Sequence, residues 1–339
     1  MGKLSYIKNV IKGASLEKFN YVVGEAARRS GKSKLYCFFD IIHCMIRHKA
    51  GYYDYIIFEF WNRTEAQRKT YLTRFRNKKF ILHMNDPEYS HIFDNKNEFN
   101  IRFADYIRRD YVDLATASED EIRAFFDRNE HFFMKPASLA SGEGCEGHEK
   151  SEYASFEEFL AYIRAKDFDL VEERLRNHPD IAKVYDGCLN CMRAITVVDS
   201  WGKAHCIYCV AKFGRNGRQV DSYGVHGPID LETGRFLYPA HSGDTTTDEV
   251  WTEHPNSHIP LVGFQIPMHK EAIELVERAA LEVPQIRYIG WDVAVTDKGP
   301  VIIEGNNYSA HDFWQLPCQT PDGIGIIPTL EKLVPEMKF

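Results

Sequence analysis

The chain has 339 residues, of which 44% are hydrophobic and 27% charged, and this balance predicts a globular protein of about two domains rather than a disordered chain. No apolar run reaches the ~18 residues of a membrane-spanning helix, the start is too charged for a secretory signal, and a net charge of −7 argues against a general nucleic-acid-binding protein. Eight cysteines in so long a chain are typical of reduced thiols, so we expect a cytoplasmic location.

The first 50 residues are basic, unlike the rest of the chain. They contain ten Lys and Arg against three Asp and Glu, a net charge of +7, which leaves −14 for the remaining residues. A basic, partly amphipathic segment can bind an anionic membrane surface or an acidic partner. The simpler interpretation of the same residues is a solvated helical face.

Residues 1–94 are expected to form a helical and small α/β region. Apolar residues recur at helical spacing in residues 15–50 and predict two helices that are separated near Gly31. Two short apolar runs on either side of a polar segment then predict a β-α-β layer. The strand, helix and strand of this layer are expected at residues 55–58, 63–76 and 80–82.

Capping boxes mark the helices of the next region, residues 95–184. Ser118 and Ser155 each precede a glutamate by three residues, a pattern in which the serine accepts a hydrogen bond from the N3 amide while the glutamate bonds back to the cap. We therefore expect helices at 119–128 and 156–165, and strands at 131–135 and 168–172.

Residues 185–339 predict a larger α+β unit dominated by β-hairpins, because apolar residues alternate with others along several short segments. One helix, at residues 268–282, is expected to interrupt the hairpins. The two hairpins are expected to pair residues 190–198 with 203–212 and residues 291–296 with 300–306.

Three oxygen-bearing side chains come together in the second of these hairpins. A three-residue loop would pair Asp292 with Glu304 and Thr296 with Pro300. Asp292, Glu304 and Asn306 would then share the face opposite the buried valines. Carboxylate and amide oxygens suit Mg²⁺, which prefers hard oxygen ligands and few protein ligands. The alternative is a polar, solvated face on an edge hairpin.

Lys135 ends a predicted strand and precedes a glycine-rich segment that contains Gly142 and Gly144. A lysine ahead of such a loop can bind phosphates through its charge and through backbone amides. The segment has the spacing of a dinucleotide-binding loop, but residues intervene after the strand and no helix follows at once, so we exclude that fold. A phosphate-binding lid is expected, with a plain flexible loop as the alternative.

Glu172 and Glu173 lie where another predicted strand ends. A carboxylate at a strand end, beside backbone groups that are not paired in the sheet, can bind the edge of an adenine ring. Acidic residues are common after strands, so this pattern alone is a weak indication.

Four cysteines have the spacing of a zinc ribbon, Cys188-x2-Cys191 and Cys206-x2-Cys209. In the predicted first hairpin Cys191 and Cys206 share one face, Cys209 points to the other, and Cys188 precedes the strand. One tetrahedral site cannot collect these thiols. We therefore expect buried apolar thiols and no zinc.

The first hairpin also carries a basic pair. Pairing of Val198 with Lys203 places Arg193 and Lys212 on one face, where two cations suit a transferring phosphate or a substrate carboxylate. Surface charge is the alternative. Further polar residues that could contact a substrate follow in the sequence at Arg215, Asp221, His226 and Asp230.

Taken in chain order, these segments resemble the ATP-grasp superfamily, and in particular its sugar-transfer-associated branch. The resemblance covers residues 95–325 and is most specific in the last two of its segments. The segments that carry it are Asp94-Asn95-Lys96-Asn97, Met134-Lys135-Pro136, Val171-Glu172-Glu173, Asn190-Cys191-Met192-Arg193, Val220-Asp221-Ser222-Tyr223, Gly227-Pro228-Ile229-Asp230 and Gly290-Trp291-Asp292 with Glu304-Gly305-Asn306.

The resemblance implies a role for each matching residue. ATP would be bound by Lys96, Lys135, Gly142, Gly144, Glu172, Glu173, Leu175 and Asp180; Mg²⁺ by Asp292, Glu304 and Asn306; and the γ-phosphate by Arg193 and Lys212. Within this set Glu172 is the implied adenine contact, and Asp180 the implied ribose contact. Cys191 stands where the family often has Thr, and Lys212 where it often has Arg, departures that concern the substrate rather than ATP.

The resemblance also implies a fold and an activity. Members of the superfamily clasp ATP between two α+β lobes and usually join a carboxylate to an amine through an acyl phosphate. We therefore expect a Mg²⁺- and ATP-dependent ligase that forms a C–N bond on a sugar- or peptide-linked carboxylate in polysaccharide or cell-surface biosynthesis. Two alternatives stay open: a phosphotransferase with Asp221 or Asp230 as its base, and a non-catalytic ATP-binding module docked through the basic start.

Overall fold

The computed structural model of the chain describes residues 16–136, 144–166 and 168–339. In chain order they form a helical region, a small antiparallel sheet with two covering helices, and a large antiparallel sheet. None of the described helices is long and apolar enough to cross a membrane. The described α-helices are α1 (Leu16–Ser30), α2 (Lys34–Arg47), α3 (Tyr52–Ile57), α4 (Glu65–Arg68), α5 (Arg74–Met84), α6 (His91–Asp94), α7 (Lys96–Arg102), α8 (Ala104–Ile107), α9 (Glu119–Arg128), α10 (Phe156–Ala165), α11 (Pro179–Val184), α12 (His269–Ala279) and α13 (Ile327–Leu333). The described strands are β1 (Tyr111–Asp113), β2 (His131–Pro136), β3 (Glu146–Glu149), β4 (Phe168–Glu173), β5 (Cys191–Val198), β6 (Ala204–Phe213), β7 (Val225–Pro228), β8 (Ala240–Ser242), β9 (Val250–Trp251), β10 (Tyr288–Thr296) and β11 (Gly299–Asn306).

The two helices predicted in residues 15–50 are confirmed as α1 and α2, whereas the predicted β-α-β layer is wrong. Tyr55, Ile56 and Ile57 lie in helix α3, the second predicted strand lies within α5, and the predicted helix over 63–76 contains only the short α4 and the start of α5. The three side chains of α3 are buried in an apolar cluster with α1 and α2. A short apolar run that is buried on all sides has the same pattern in a helix as in a strand, which explains the error.

The small sheet has the strand order β1-β4-β2-β3 and packs against α9 and α10. Ser118 and Ser155 each accept a hydrogen bond from the backbone amide three residues later, so both predicted caps begin their helices. Phe126, Phe132 and Phe159 then pack between the helices and the sheet. The predicted helices and strands of this region are confirmed.

The large sheet has the strand order β11-β10-β5-β6-β7-β8-β9, and alternation along β10 shows how its two faces differ. Trp291 and Val293 pack in the main core beneath α12. On the other face Tyr288 joins an apolar cluster with α5 and α13, and Ala294 joins a second, smaller cluster. Asp292 lies between Tyr288 and Ala294 on the same face, so an apolar cluster lies on either side of this carboxylate along β10.

A β-bulge changes the register of the first hairpin of the large sheet. Val198 pairs with Ala204, one residue later than the predicted Lys203. Ile207 is then an extra residue on β6, which shifts the register again. A single inserted residue reverses the direction of the side chains that follow it.

The bulge redistributes the four cysteines of the zinc-like spacing. Cys206 and Cys209 both lie in the main core beneath α12, whereas Cys191 lies in the small apolar cluster on the opposite face. The prediction that Cys191 and Cys206 share a face is therefore wrong. Thiols on opposite faces of one sheet still do not converge on one ion, and the absence of zinc stays a prediction.

The second hairpin contains a compensating irregularity. Thr296 pairs with Gly299, one residue earlier than predicted, so the loop is shorter than expected. Ile303 is an extra residue on β11, and it restores the predicted pair of Asp292 and Glu304. The predicted pairing of Asp292 with Glu304 is therefore confirmed, although the predicted loop is wrong, and metal binding by these residues stays a prediction.

Helices α6 to α8 pack on the edge of the large sheet that β11 forms. Phe99 and Phe103 belong to the main core, and an added Cβ at Gly305 would lie 3.0 Å from the rings of both Phe93 and Phe99. Because α7 begins at Lys96, the large sheet positions this lysine.

The boundaries expected for three regions of the chain stay predictions, at residues 1–94, 95–184 and 185–339.

Gly227→Ala is expected to destabilise the fold. A Cβ at Gly227 in β7 would lie 2.2 Å from Cε1 of Phe236, a buried ring that is stacked on Phe213. Overpacking of this kind costs about 1–3 kcal/mol, so the free energy of unfolding in urea should fall by this amount. Gly24→Ala in α1 is the control, because nothing lies within 4 Å of its Cβ position and Ala is favoured in helices. Equal losses in the two variants would contradict the packing explanation.

Candidate active site

Asp292 and Glu304 form the centre of the site. They are cross-strand partners on β10 and β11, and their carboxyl groups are hydrogen-bonded to each other. Nδ2 of Asn306 donates to Oε1 of Glu304 (3.3 Å) and to the carbonyl oxygen of Gly290 (3.3 Å). The three side chains predicted to bind Mg²⁺ therefore lie together on one face of the hairpin.

Two buried cations neutralise Asp292. The Arg193 guanidinium binds it through two hydrogen bonds, 2.7 Å from Nε to Oδ1 and 2.9 Å from Nη2 to Oδ2. Nζ of Lys212 lies 3.3 Å from the same Oδ1 and 3.1 Å from Oδ1 of Asp221. Although burial alone would raise it, these cations hold the pKa of Asp292 far below its usual range. The predicted placement of Arg193 and Lys212 on one face is confirmed.

The charge state of Glu304 fits a cation site. Burial, and then the charge of neighbouring Asp292, raises the pKa of Glu304, since two carboxyl groups in contact share a proton more readily than they carry two charges. A divalent cation can take the place of that proton and bind both carboxylates. Two carboxylates and one amide oxygen are a donor set that fits Mg²⁺, and any ligand atom from Asn306 would be Oδ1.

A cavity of about 160 Å³ opens beside the cationic pair and offers room for a small substrate group. It is the place where the two cations of β5 and β6 meet polar groups of the segment around β7. Its lining residues are Arg193, Val210, Lys212, Ser222, His226 and Phe313.

His226 lines this cavity with a neutral imidazole. Its Nε2 lies 2.9 Å from the carbonyl oxygen of Asp221, which can only accept a hydrogen bond, so Nε2 carries the proton. Burial, reinforced by the charge of Lys212, lowers the pKa of His226 to about 3. Nδ1 is therefore a hydrogen-bond acceptor, and within the part of the chain that the structure describes it has no partner.

Lys135 and Glu172 form a buried ion pair in the small sheet. Nζ of Lys135 lies 2.5 Å from Oε2 of Glu172, and Nη2 of Arg109 lies 2.8 Å from Oε1. Although burial would raise it, Arg109 and Lys135 lower the pKa of Glu172 to about 2. Both oxygens of this side chain are thus bonded to cations, and the implied adenine contact of Glu172 stays a prediction.

Arg109 was missed by the sequence analysis, yet it joins the two sheets. Its Nη1 donates to the carbonyl oxygen of Ile302 (2.8 Å) and its Nη2 to that of Ile303 (3.1 Å), while Nη2 also binds Glu172. Its side chain is only 3% exposed. A lone arginine between a helix and a strand has no spacing pattern; the one available signal was Glu172, since a carboxylate in a buried strand requires a cation.

Cys145 lies near the two predicted phosphate lysines and near the predicted metal face, that is, the side chains of Asp292, Glu304 and Asn306. Burial raises the pKa of the Cys145 thiol, while the charges of Lys135 and Lys96 lower it and the charge of Glu304 raises it. These groups act on the thiol only because they lie close to it. The structure therefore brings Lys96, Lys135 and the metal-binding face to one region.

The structure describes two of the three residues Gly142, Gly144 and Leu175, which the resemblance implies in ATP binding. Gly142 lies outside the described residues. Gly144 is exposed and has a φ of 71°, a left-handed conformation that favours glycine. Leu175 packs on the small apolar cluster that contains Ala294, next to the metal face. An apolar surface at this place suits the flat face of a nucleobase.

Two further residues implied in ATP binding are engaged in ion pairs. Oε1 of Glu173 lies 2.8 Å from Nζ of Lys298 in the loop between β10 and β11. Asp180 lies on α11, half exposed, with Oδ1 2.7 Å from Nζ of Lys183. Contacts of Glu173 and Asp180 with ATP stay predictions.

Two of the predicted substrate residues bond to groups away from the cationic pair. Arg215 donates from Nε to the carbonyl oxygen of Tyr223 (3.1 Å), and its Nη2 lies 3.3 Å from Glu249. Asp230 accepts from the backbone amide (2.7 Å) and hydroxyl (2.7 Å) of Thr233, as in a tight turn. Asp221 and His226 are the predicted substrate residues that lie beside Lys212.

A comparison of the chain with known protein families identifies its family. The family described as sugar-transfer associated ATP-grasp matches residues 75–333. The chain belongs to this family. Its two antiparallel sheets with their covering helices therefore represent the ATP-grasp fold, and the predicted α+β class is confirmed. A comparison with curated proteins gave no match.

Several solved structures are similar to the chain at low sequence identity. D-alanyl-alanine synthetase A from Vibrio cholerae is 17% identical, with a TM-score of 0.41, over 74% of this chain and 62% of that one. The ATP-grasp ligase PsnB, complexed with a minimal precursor, Mg and ADP, is 14% identical, with a TM-score of 0.41, over 79% and 68%. Biotin carboxylase from Campylobacter jejuni is 12% identical, with a TM-score of 0.44, over 72% and 46%. The chain thus spans less than two thirds of the length of the Vibrio protein.

The family match of this sugar-transfer associated ATP-grasp protein covers both sheets but not helices α1 to α4. The metal face, the cationic pair and the lysine of the small sheet all lie within the matched residues. The helical region that precedes them is an addition to the matched fold within this chain.

Arg109→Met is expected to destabilise the contact between the two sheets. Removing one partner of a buried ion pair costs about 3–5 kcal/mol, so the free energy of unfolding in urea at neutral pH should fall by this order. In the wild type the lowered pKa of Glu172 stabilises the folded chain near neutral pH, and this stabilisation is lost as the pH falls toward that pKa. In the variant the pKa of Glu172 would rise, so that less of this stabilisation is present at any pH above it. Acid unfolding, followed by tryptophan fluorescence, should therefore begin at a higher pH than in the wild type.

Arg108→Met is the matched control for this change. The Arg108 guanidinium is exposed and donates to the carbonyl oxygen of Asp105. If the two variants unfold alike in urea and in acid, Arg109 does not have the role described.

Glu304→Gln and Asp292→Asn are expected to differ in stability and to agree in Mg·ATP binding. The amide in Glu304→Gln can still donate to Asp292, so unfolding free energy should change by less than about 1 kcal/mol. Asp292→Asn leaves Arg193 and Lys212 without their shared anion, at a cost on the order of 3 kcal/mol. Thermal stabilisation by Mg·ATP should shrink in both variants. A wild-type stabilisation in either one would remove that residue from the metal site.

Proposed function

We propose that the chain is an ATP-dependent ligase that joins a carboxylate to an amine through an acyl phosphate. The carboxylate would belong to a sugar- or peptide-linked substrate in polysaccharide or cell-surface biosynthesis, a class supported by the association of the family with sugar transfer. The observation that carries the proposal is the buried pair Arg193 and Lys212, which lies between the metal face and the cavity.

The cationic pair suits transfer of a phosphoryl group. An oxygen of the substrate carboxylate attacks the γ-phosphorus, the bond from this phosphorus to the bridging oxygen breaks, and ADP leaves. Arg193 and Lys212 neutralise the charge that develops on the transferring group. Asp292 holds both cations in place before the substrate arrives. Bound Mg²⁺, held by Asp292, Glu304 and Asn306, would supply further neutralisation of the phosphate oxygens.

The cavity residues suit the second half of the reaction. The amine attacks the acyl carbon, the carbon–oxygen bond to phosphate breaks, and the released phosphate takes up the proton that the amine loses. Nδ1 of His226 accepts a hydrogen bond from the amine and thereby orients the nitrogen lone pair. Since burial and then the charge of Lys212 lower the pKa of His226, this side chain is an acceptor that positions the amine rather than a strong base.

The arrangement favours ligation over phosphate transfer to a hydroxyl group. The carboxylates considered as bases for a phosphotransferase are both engaged: Asp221 binds Lys212 and the backbone amide of Cys191, and Asp230 closes a turn with Thr233. An acyl phosphate requires no protein base for its formation, because a carboxylate is already deprotonated near pH 7.

Hydroxylamine tests the reaction type, because it traps acyl phosphates as hydroxamates. The chain should be screened with Mg·ATP against uronic acids, amino-sugar acids and short peptides, with and without amines. We expect ADP release that depends on the carboxylate, and a hydroxamate when hydroxylamine replaces the amine. A phosphate ester formed from an alcohol, without hydroxamate, would establish the phosphotransferase, and ATP binding without any turnover would establish a binding module.

Arg193→Met is expected to reduce turnover much more than ATP affinity. Loss of one contact that stabilises charge in the transition state costs on the order of 3 kcal/mol, or about a hundredfold in rate. Lys203→Met is the control, because Lys203 is exposed in the turn of the same hairpin. Unchanged turnover in Arg193→Met would remove Arg193 from the reaction.

The contact predicted for the basic start, and the cytoplasmic location, stay predictions. Helix α2 exposes Leu35, Tyr36 and Phe39, and Lys32 and Lys34 are exposed at its N-terminal end. Apolar side chains beside basic ones suit an anionic lipid surface. This arrangement supports the membrane alternative of that prediction.

A further inference from the structure

Helices α2 and α4, outside the family match, bring together two histidines and a glutamate. His43 lies in α2, His48 caps the C-terminal end of that helix, and Glu65 is the first residue of α4. Nε2 of His43 and Nε2 of His48 lie 3.3 Å and 3.1 Å from the same atom, Oε2 of Glu65. One ligand atom from each residue lies within 4.8 Å of the other two.

These separations suit a shared metal ion. Around a tetrahedral ion with bonds of about 2.1 Å, neighbouring ligand atoms are roughly 3.4 Å apart, and around an octahedral ion they are about 3.0 Å apart. The nitrogen-to-oxygen distances of 3.3 Å and 3.1 Å fall between these values. A cation can therefore bind with small adjustments of the side chains.

The fold holds the ligands in this arrangement. His48 is fully buried, and its ring packs edge-on against the rings of His43 and Phe60. Glu65 directly follows Thr64, the N-cap residue whose capping box with Gln67 begins α4 and fixes the backbone there. Nε of the exposed Arg47 lies 3.7 Å from Oε1 of Glu65, the oxygen that the histidines do not contact. Oε2 can therefore bind a metal while Arg47 keeps its contact with Oε1.

We propose that His43, His48 and Glu65 bind a divalent transition-metal ion. Two imidazole nitrogens and one carboxylate oxygen favour Zn²⁺, Co²⁺ or Ni²⁺ over Mg²⁺. The side chains of His43 and Glu65 are 50% and 45% exposed, so water or an external ligand completes the coordination. This site is separate from the Mg²⁺ site and does not depend on the proposed ligase function.

Cobalt titration tests the site on the full chain without a histidine tag. The protein is treated with a chelator, transferred to buffer with excess Mg²⁺, and titrated with Co²⁺, with visible absorption and calorimetry as readouts. We expect saturation at one equivalent with micromolar or tighter affinity, and displacement of the cobalt spectrum by Zn²⁺. Absence of saturable binding in the wild type would overturn the proposal.

Variants assign the binding to these residues. His43→Ala and Glu65→Ala change exposed side chains and should weaken Co²⁺ binding by at least about tenfold. His83→Ala is the matched control, since His83 is another exposed histidine, 3.8 Å from Glu336, and should bind like the wild type. Wild-type affinity in His43→Ala would overturn the proposal. If circular dichroism shows that an alanine variant is misfolded, His43→Gln replaces it under the same criterion.

Discussion

One buried guanidinium, that of Arg109, joins the small sheet to the large sheet. It bonds Glu172 in the small sheet and two carbonyl oxygens of β11 in the large sheet. β11 is the edge strand that carries Glu304, and Glu172 is the partner of Lys135. Arg109 therefore helps to set the position of Lys135 relative to Glu304. Because Arg109 and Glu172 are both buried, loss of Glu172 would leave the guanidinium without this carboxylate partner, at a high cost in stability.

The charges of the site form a chain rather than separate pairs. Asp292 is shared by Arg193 and Lys212, Lys212 is shared by Asp292 and Asp221, and Asp292 is also hydrogen-bonded to Glu304. A phosphate or a metal ion that enters this network changes the balance of every member. This arrangement keeps cations buried and oriented in a cavity wall, where water would otherwise solvate them.

The pairing of Asp292 with Glu304 could be predicted from the sequence because period-2 alternation is strong in β10 and β11. Asp292 and Glu304 were paired correctly even though the loop was one residue too long in the prediction, since the bulge at Ile303 compensated for it. Bulges leave no clear mark in a sequence, so the faces of the cysteines in β6 were assigned wrongly. Helix α3 was taken for a strand because its short apolar run is buried on all sides. Arg109 and the histidine cluster were missed because their partners are distant in sequence and only the fold makes them neighbours.

The packing of Phe93 and Phe99 on Gly305 attaches helices α6 and α7 to strand β11. Gly305 lies between Glu304 and Asn306, and the absence of a side chain lets both rings rest on the backbone there. Helix α7, which begins at Lys96, thereby packs on the strand that carries Glu304 and Asn306. Lys96 is thereby attached to the large sheet, whereas Lys135 belongs to the small sheet, so the angle between the two sheets sets the spacing of two positive charges.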